Sequence, residues 1–412
     1  MPIGASCRMN SIFRLKDVCS SIVDCEHKTV KVDSNGDYFA VGTSAMVGNR
    51  IDYSRAKRVS QKTFLEWTRR LTPQRGDLLL AREAPVGPIV RIPDKLNVAP
   101  GQRTVLLRPI PEAADSVFLY YLIGSSEIQY RLNQLAEGST VPHLNVADIR
   151  SFELPLLPSL DVQRGIAATL VALDDKIESN RRIVDKIGAL FSAEFSSVQK
   201  GKTSFVELKE VVSVTKGVSY RSADLAEART SLVTLKSFDR NGGYKSVGLK
   251  PYVGPYKESQ IIRPGELVVA QTDLTQGAEV VGRTVRVPRA SSAEVLVASL
   301  DLAIVRPLGN MPEEYLYGLL TAESFREHCR SRTSGTTVLH LAGDAIPQYR
   351  APMVSQIDQE RFAKKSRPLI ERSDSLEREI EHLVRLRDTL LPELLSGRIR
   401  VPEAREAVEA AV

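Results

Sequence analysis

Three places in this chain put side chains at spacings that chemistry uses. Glu207-Leu208-Lys209 has the order in which a nuclease carboxylate holds a metal while a lysine steadies the attacking water. Gly201-Lys202-Thr203-Ser204 looks like the end of a phosphate-binding loop. His143 and His340 offer imidazoles, the usual general bases. Each lacks the rest of its machinery. The first glycine of a phosphate loop would fall on Ser196, inside a predicted helix, so a linker is the simpler reading. No nucleophile elbow, no GxGxxG between strand and helix and no methyltransferase signature is present. The four cysteines (Cys7, Cys19, Cys25, Cys329) form no CxxC pair and have no histidine at ligand spacing. Neither a catalytic residue nor a metal ligand is expected.

The elements that would have to position such residues are written twice. LKDV at Leu15 returns as LKEV at Leu208, RGDLLLA at Arg75 as PGELVVA at Pro264, LLRP at Leu106 as IVRP at Ile304, FLYYLI at Phe118 as YLYGLL at Tyr315, and EGSTVPHL at Glu137 as SGTTVLHL at Ser334. The offset stays near 190 to 198 residues. That period is too long for a solenoid, so each copy must bury its own core. The repeat also tests the chemistry. The counterpart of Glu207-Leu208-Lys209 is Arg14-Leu15-Lys16, which has no acid, whereas the histidines recur without a recurring carboxylate or nucleophile.

Each copy reads as about 145 residues of turn-rich α/β sequence followed by a long helix that starts after Pro158 or Pro352. GDYFAVG, LLLA, TVLLRP and FELPL look like strands closed by Gly and Pro, and Ser116 to Leu135 like one helix packed on them. In the first long helix Ile166, Leu170, Leu173, Ile177, Asn180, Val184, Ile187 and Phe191 alternate by four and three residues, a heptad seam with one polar position. In the second the seam is Phe362, Ser366, Leu369, Ser373, Leu376, Ile380, Leu383, Arg387 and Leu390, with more polar interruptions. Leu369, Leu376, Ile380 and Leu383 are its pairing residues. Ser355 with Asp358, and Ser159 with Asp161, are N-terminal cap signals. Pro392 should kink or end the second helix, Gly397 should close it, and residues 1–10 and about 400–412 read as tails.

Composition is that of an ordinary soluble protein: 412 residues, 42% hydrophobic and 26% charged, with a net charge of +6. The modest excess favours an anionic partner. No run of about 18 apolar residues is present, so secretion and membrane spanning are not expected and a reducing cytoplasm fits best. Arg50 to Arg75 holds eight basic residues against two acids, with Tyr53 and Trp67 nearby. A solvated surface and a DNA-facing surface both remain open for it. The DNA reading selects Arg55, Lys57, Arg58, Lys62, Arg69, Arg70 and Arg75. Ser139, Thr140 and His143 in one glycine-hydroxyl loop, and Thr336, Thr337 and His340 in the other, could meet phosphates. The second head adds Lys236, Arg240, Asn241, Lys245, Lys257 and Gln271, with Gln260 and Gln276 as further amides able to read bases.

Two variable α/β domains, each followed by a long helix, with LKDV/LKEV, RGDLL/PGELV, the GST/GTT loops and LRDTLLPELLSG, resemble the specificity subunit of Type I restriction-modification systems over residues 11–397. The resemblance implies a mixed α/β fold of two similar target-recognition domains, joined by two antiparallel coiled-coil helices in a pseudo-twofold duplication. It places the readers at 11–158 and 204–353, and the spacer helices at 159–203 and 354–397. It implies no catalysis in this chain, double-stranded DNA as ligand, two adenine-methylating modification subunits and restriction-translocase subunits as partners. S-adenosylmethionine, ATP and Mg would be bound by those partners. A helix of 38 residues, roughly 57 Å at about 1.5 Å per residue, would space the half-sites, with Asn180 fixing register. The chain departs from strict symmetry where the first helix ends ALFSAEFSSV and the second LRDTLLPELLSG. A duplicated coiled-coil adaptor without a DNA role, and a metal-dependent nuclease built on Glu207 and Lys209, are the rival readings.

Overall fold

The computed structural model describes residues 13–136, 142–202, 204–238, 243–245, 248–274, 277–288 and 294–411. The chain forms two compact units, Met1–Ile177 with His382–Val412, and Glu178–Glu381. Each long helix therefore contributes one half to each unit.

In the first unit a sheet runs in the order Cys19–Asp24, Thr104–Pro109, Leu78–Arg82, Val86–Arg91, every neighbour antiparallel. Leu78 to Ala81 are fully buried. That is why LLLA is a continuous apolar run rather than an alternation. A second sheet orders Lys57–Val59, Tyr38–Val41 and Val98–Pro100, the last two parallel. A short ribbon, Phe13–Arg14 with Glu153–Leu154, closes the head.

The second unit repeats this plan. Its sheet orders Val212–Lys216, Leu302–Pro307, Leu267–Ala270 and Thr284–Arg286, all antiparallel. The second sheet again contains a parallel pair, Thr230–Val233 with Val295–Ala298, here flanked by Lys250–Pro251 and Ile261–Ile262, and the closing ribbon is Ser204–Glu207 with Arg350–Met353. Even single bonds recur. Leu15 N–H donates to Phe152 O and Leu208 N–H to Tyr349 O, while Ile110 N–H donates to Val18 O and Leu308 N–H to Val211 O.

The expected helix from Ser116 to Leu135 is two helices, Ser116–Gly124 and Ser126–Ala136, broken at Ser125 in extended conformation (φ −69°, ψ 149°). The copy breaks in the same way at Ala322, between Glu313–Thr321 and Glu323–Ser331. The physical reason lies in the faces. Phe118 to Ile123 are all buried, whereas the following helix buries only Ile128, Leu132 and Ala136. One straight rod cannot satisfy both.

The long helices span Leu160–Val198 and Gln356–Ser396 and run antiparallel. Asp174 meets Arg387 at 2.8 Å in the first unit, and Glu194 meets Lys365 at 3.6 Å in the second. Ser355 caps the second helix by accepting from Asp358 N–H at 3.2 Å. At the first, Gln163 braces the start instead, donating to Pro158 O and accepting from Asp115 N–H, both at 2.9 Å. Ile166, Leu170, Leu173 and Ile177 are buried, as are Leu376 and Leu383, while Val184, Ile187, Leu369 and Ile380 are half-buried. Asn180 is buried, and among the described residues its amide nitrogen has no acceptor.

Two expectations need correction here. Pro392 neither kinks the helix to an end nor stops it, since Leu390 and Leu394 are buried on either side and hold the turn through to Ser396. Gly397, at φ +71°, closes it. Nor is the C-terminal stretch a tail: Val401–Ala411 is a helix with Ala404 and Val408 buried at i, i+4 spacing. Val401 packs where Gly165 leaves room, because a Cβ on Gly165 would lie 2.9 Å from Val401 Cγ1.

Candidate DNA-reading surface

Most of the arginines singled out in the first head are already engaged. Arg55 pairs with Asp52 at 3.0 Å, and Arg75 with Asp94 at 3.1 Å. Arg69 and Arg70 converge on Glu26 at 3.0 and 3.4 Å, where the carboxylate is nearly buried while the arginines stay about half exposed. Arg58 donates to Gly36 O at 2.9 Å and lies over the Phe39 ring. Arg50 reaches Asp174 at 3.3 Å. Six of the eight cations in this stretch thus have a partner within the chain, and among the described residues only Lys57 and Lys62 are exposed without one.

Trp67 is a correction of the same kind. It is 8% exposed in a cluster with Val30, Val59 and Phe64, so the aromatic that favoured nucleic acid is a core residue. Tyr53 remains 42% exposed, edge-on to Phe39. Around Trp67 an open groove of about 580 Å³ is lined by Thr29, Lys31, Ser34, Ser60, Lys62 and Glu66, among others.

The two histidines occupy one structural place. His143 bridges Glu83, and Leu144 N–H donates to Arg82 O. His340 pairs with Thr272, and Leu341 N–H donates to Gln271 O. Both residues are exposed, His340 on the central strand of its three-stranded sheet. Thr336 and Thr337 are exposed in the hairpin between Thr333–Ser334 and Leu339–Leu341, where Gly335 takes φ +125°. Ser139, Thr140, Arg240, Asn241 and Gln276 lie outside the described residues.

In the second head Lys236, Lys245 and Lys257 are exposed. Gln271 is buried at 7% exposure, which turns its amide away from any groove. Gln260 is also engaged, its Nε2 donating to Lys216 O at 3.2 Å and its Oε1 accepting from Lys257 N–H at 2.9 Å. Glu207 and Lys209 are exposed and bridge each other, and that contact holds the carboxyl below and the ammonium above their usual ranges. Among the described residues no group of three or more His, Cys, Asp or Glu is placed to hold a metal ion, and no helix is long and apolar enough to cross a membrane.

Charge-based reading of the sequence missed the residues that share the outer face with Lys62. Gln61, Leu65 and Glu66 stand exposed beside it on the helix Gln61–Trp67, whose other face buries Thr63, Phe64 and Trp67. Amphipathic spacing was the signal available. A search weighted toward cations passes over a glutamate.

Comparison with known proteins accords with this architecture. Residues 10–189 match the family model of the Type I restriction modification DNA specificity domain. The chain is 26% identical over 384 residues, 85% of its length and 84% of the relative's, to the Type I restriction enzyme MjaIX specificity subunit of Methanocaldococcus jannaschii. A shorter stretch of 111 residues, 27% of this chain and 25% of the relative, is 32% identical to the putative type I restriction enzyme MjaX specificity subunit of the same organism. Its fold is that of the crystal structure of the Type-I restriction-modification system S subunit from M. genitalium, with a TM-score of 0.60 and 17% identity over 94% of this chain and 97% of that one. These matches make the chain similar to the specificity subunits of Type I restriction-modification systems, with the domain model covering residues 10–189.

Proposed function

We propose that this chain is the non-catalytic DNA-recognition subunit of such a system, and that its two heads read the two unlike halves of a bipartite site. The observation that carries this reading is the pairing of one repeated scaffold with two different surfaces. Each head has a parallel strand pair and a closing ribbon, and the four-stranded antiparallel sheets match strand for strand. The elements they present do not: an α-helix follows strand Lys57–Val59 in the first head, and only a 3-10 turn, Glu258–Gln260, lies at the corresponding place in the second. A duplicated adaptor has no need for such divergence.

The chemistry would then belong to partners. Two modification subunits would each flip and methylate an adenine with S-adenosylmethionine. Restriction subunits would supply ATP- and Mg-dependent cleavage, and the assembly would work in the cytoplasm. Contacts to phosphate should make binding steeply salt-dependent. The test is adenine methylation across the host genome with and without the gene. Loss of one split motif supports the reading, whereas an unchanged methylome together with failure to co-purify with a methyltransferase subunit would overturn it.

A further inference from the structure

If the heads read different half-sites, the reading groups should lie where a shared scaffold carries an unshared element. The helix Gln61–Trp67 meets that condition in the first head. It is anchored from below: Phe64 and Trp67 are buried, Tyr38 stacks on Phe64 with ring centroids 4.4 Å apart, and Ser60 accepts from Thr63 N–H at 3.3 Å to close its first turn. A rigid base is what base discrimination needs, because a flexible side chain on a flexible element adapts to the wrong partner.

Its outer face carries four chemically distinct groups, Gln61, Lys62, Leu65 and Glu66. All four are exposed, Leu65 at 58%. Lys62 and Glu66 sit four residues apart, a spacing at which opposite charges commonly pair, yet neither they nor Gln61 has a hydrogen-bond or ion-pair partner among the described residues. This face is close to electrically neutral, which makes it a poor phosphate clamp. It suits bases instead. In the major groove an amide matches adenine, an ammonium matches guanine, a carboxylate accepts from cytosine, and an apolar side chain meets the thymine methyl. Seven residues extend about 10 Å at 1.5 Å each, short enough for a groove about 12 Å wide. The adjacent groove, lined also by Thr29, Lys31, Asp33 and Ser34, provides hydroxyls, an ammonium and a carboxylate beside the reading face.

We propose that Gln61–Trp67 is the base-reading helix of the first head, with Lys62 and Glu66 as specificity-determining residues for one half-site. The inference rests on the DNA-recognition reading above. Its test uses the full chain assembled with its modification subunits. Methylation rates are measured on duplexes varied one base pair at a time around the motif that the wild-type complex methylates. Lys62→Gln and Glu66→Gln should each relax the preference at one position of one half-site, on the order of tenfold to a hundredfold, and leave the other half-site as strict as before. The intact half-site reports that the subunit still folds and assembles. An unchanged preference at every position overturns the inference, as does uniform weakening with the preference kept, which would make the helix a backbone contact. A wild-type complex with no bipartite preference at all would instead bring down the DNA-recognition reading itself.

Discussion

Arg108 grips Asp77 with two hydrogen bonds, Nε to Oδ1 at 2.9 Å and Nη2 to Oδ2 at 2.8 Å, and Arg306 holds Glu266 in the same manner at 2.6 and 2.9 Å. The repeated RGDLL/PGELV and LLRP/IVRP segments thus have a structural meaning. Each contributes one half of a forked ion pair that ties two central strands of its sheet to the turn before them. Asp77 has only 2% of its side chain exposed. Replacing Arg108 by Ala leaves that carboxylate buried without its cation, so urea unfolding should show a loss of about 3–5 kcal/mol. Arg306→Ala should cost less, because Glu266 is more exposed at 11%.

Arg69 and Arg70 are expected to act through stability as well as through any phosphate they meet. Both hold Glu26, whose side chain is 6% exposed. The double change to Ala should destabilise the first head by roughly 2–4 kcal/mol, below the full cost for a sealed pair because water reaches the arginine side. Adding Glu26→Gln should recover part of the loss in thermal melting. No recovery would show that Glu26 is not the group the arginines serve.

Glu377 gives the second unit a pH dependence. Burial, followed by the negative charges of Asp374 and Glu381, pushes its carboxyl up to about 7, and Arg286 only partly offsets them. A folded-state value above the unfolded one favours the protonated form. Stability contributed by this group is therefore complete below the ordinary glutamate range and declines as pH rises from about 4.5 through 7. Glu377→Gln should flatten that decline and raise stability at pH 8 by on the order of 1–3 kcal/mol. A denaturation series from pH 5 to 8 measures it, and equal slopes in variant and parent would refute it.

The C-terminal helix should be required for the first unit. Ala404 is fully buried and Val408 nearly so. Ala404→Asp places a charge there without a partner and should cost at least about 2 kcal/mol. Glu409→Ala, on the exposed side, should stay within about 0.5 kcal/mol. Paired thermal melts separate the two.

What the sequence determined by itself was the plan: duplication, α/β heads, long helices and the family they resemble. Those features rest on local rules. Apolar runs such as LLLA and TVLLRP became strands because a buried sheet accepts nothing else, and the four-three spacing of Ile166, Leu170, Leu173 and Ile177 put one face inward whatever lay opposite. Tertiary structure decided how the polar groups are used. Whether Arg69 is a free cation depends on Glu26, over forty residues away, and whether Trp67 faces solvent depends on Val30 and Val59. Long-range pairing also kept the helix running through Pro392 and folded the last residues into a helix against Gly165. A charge or an aromatic ring has the same composition whether it is engaged or free. Only the position of its partner in space distinguishes the two.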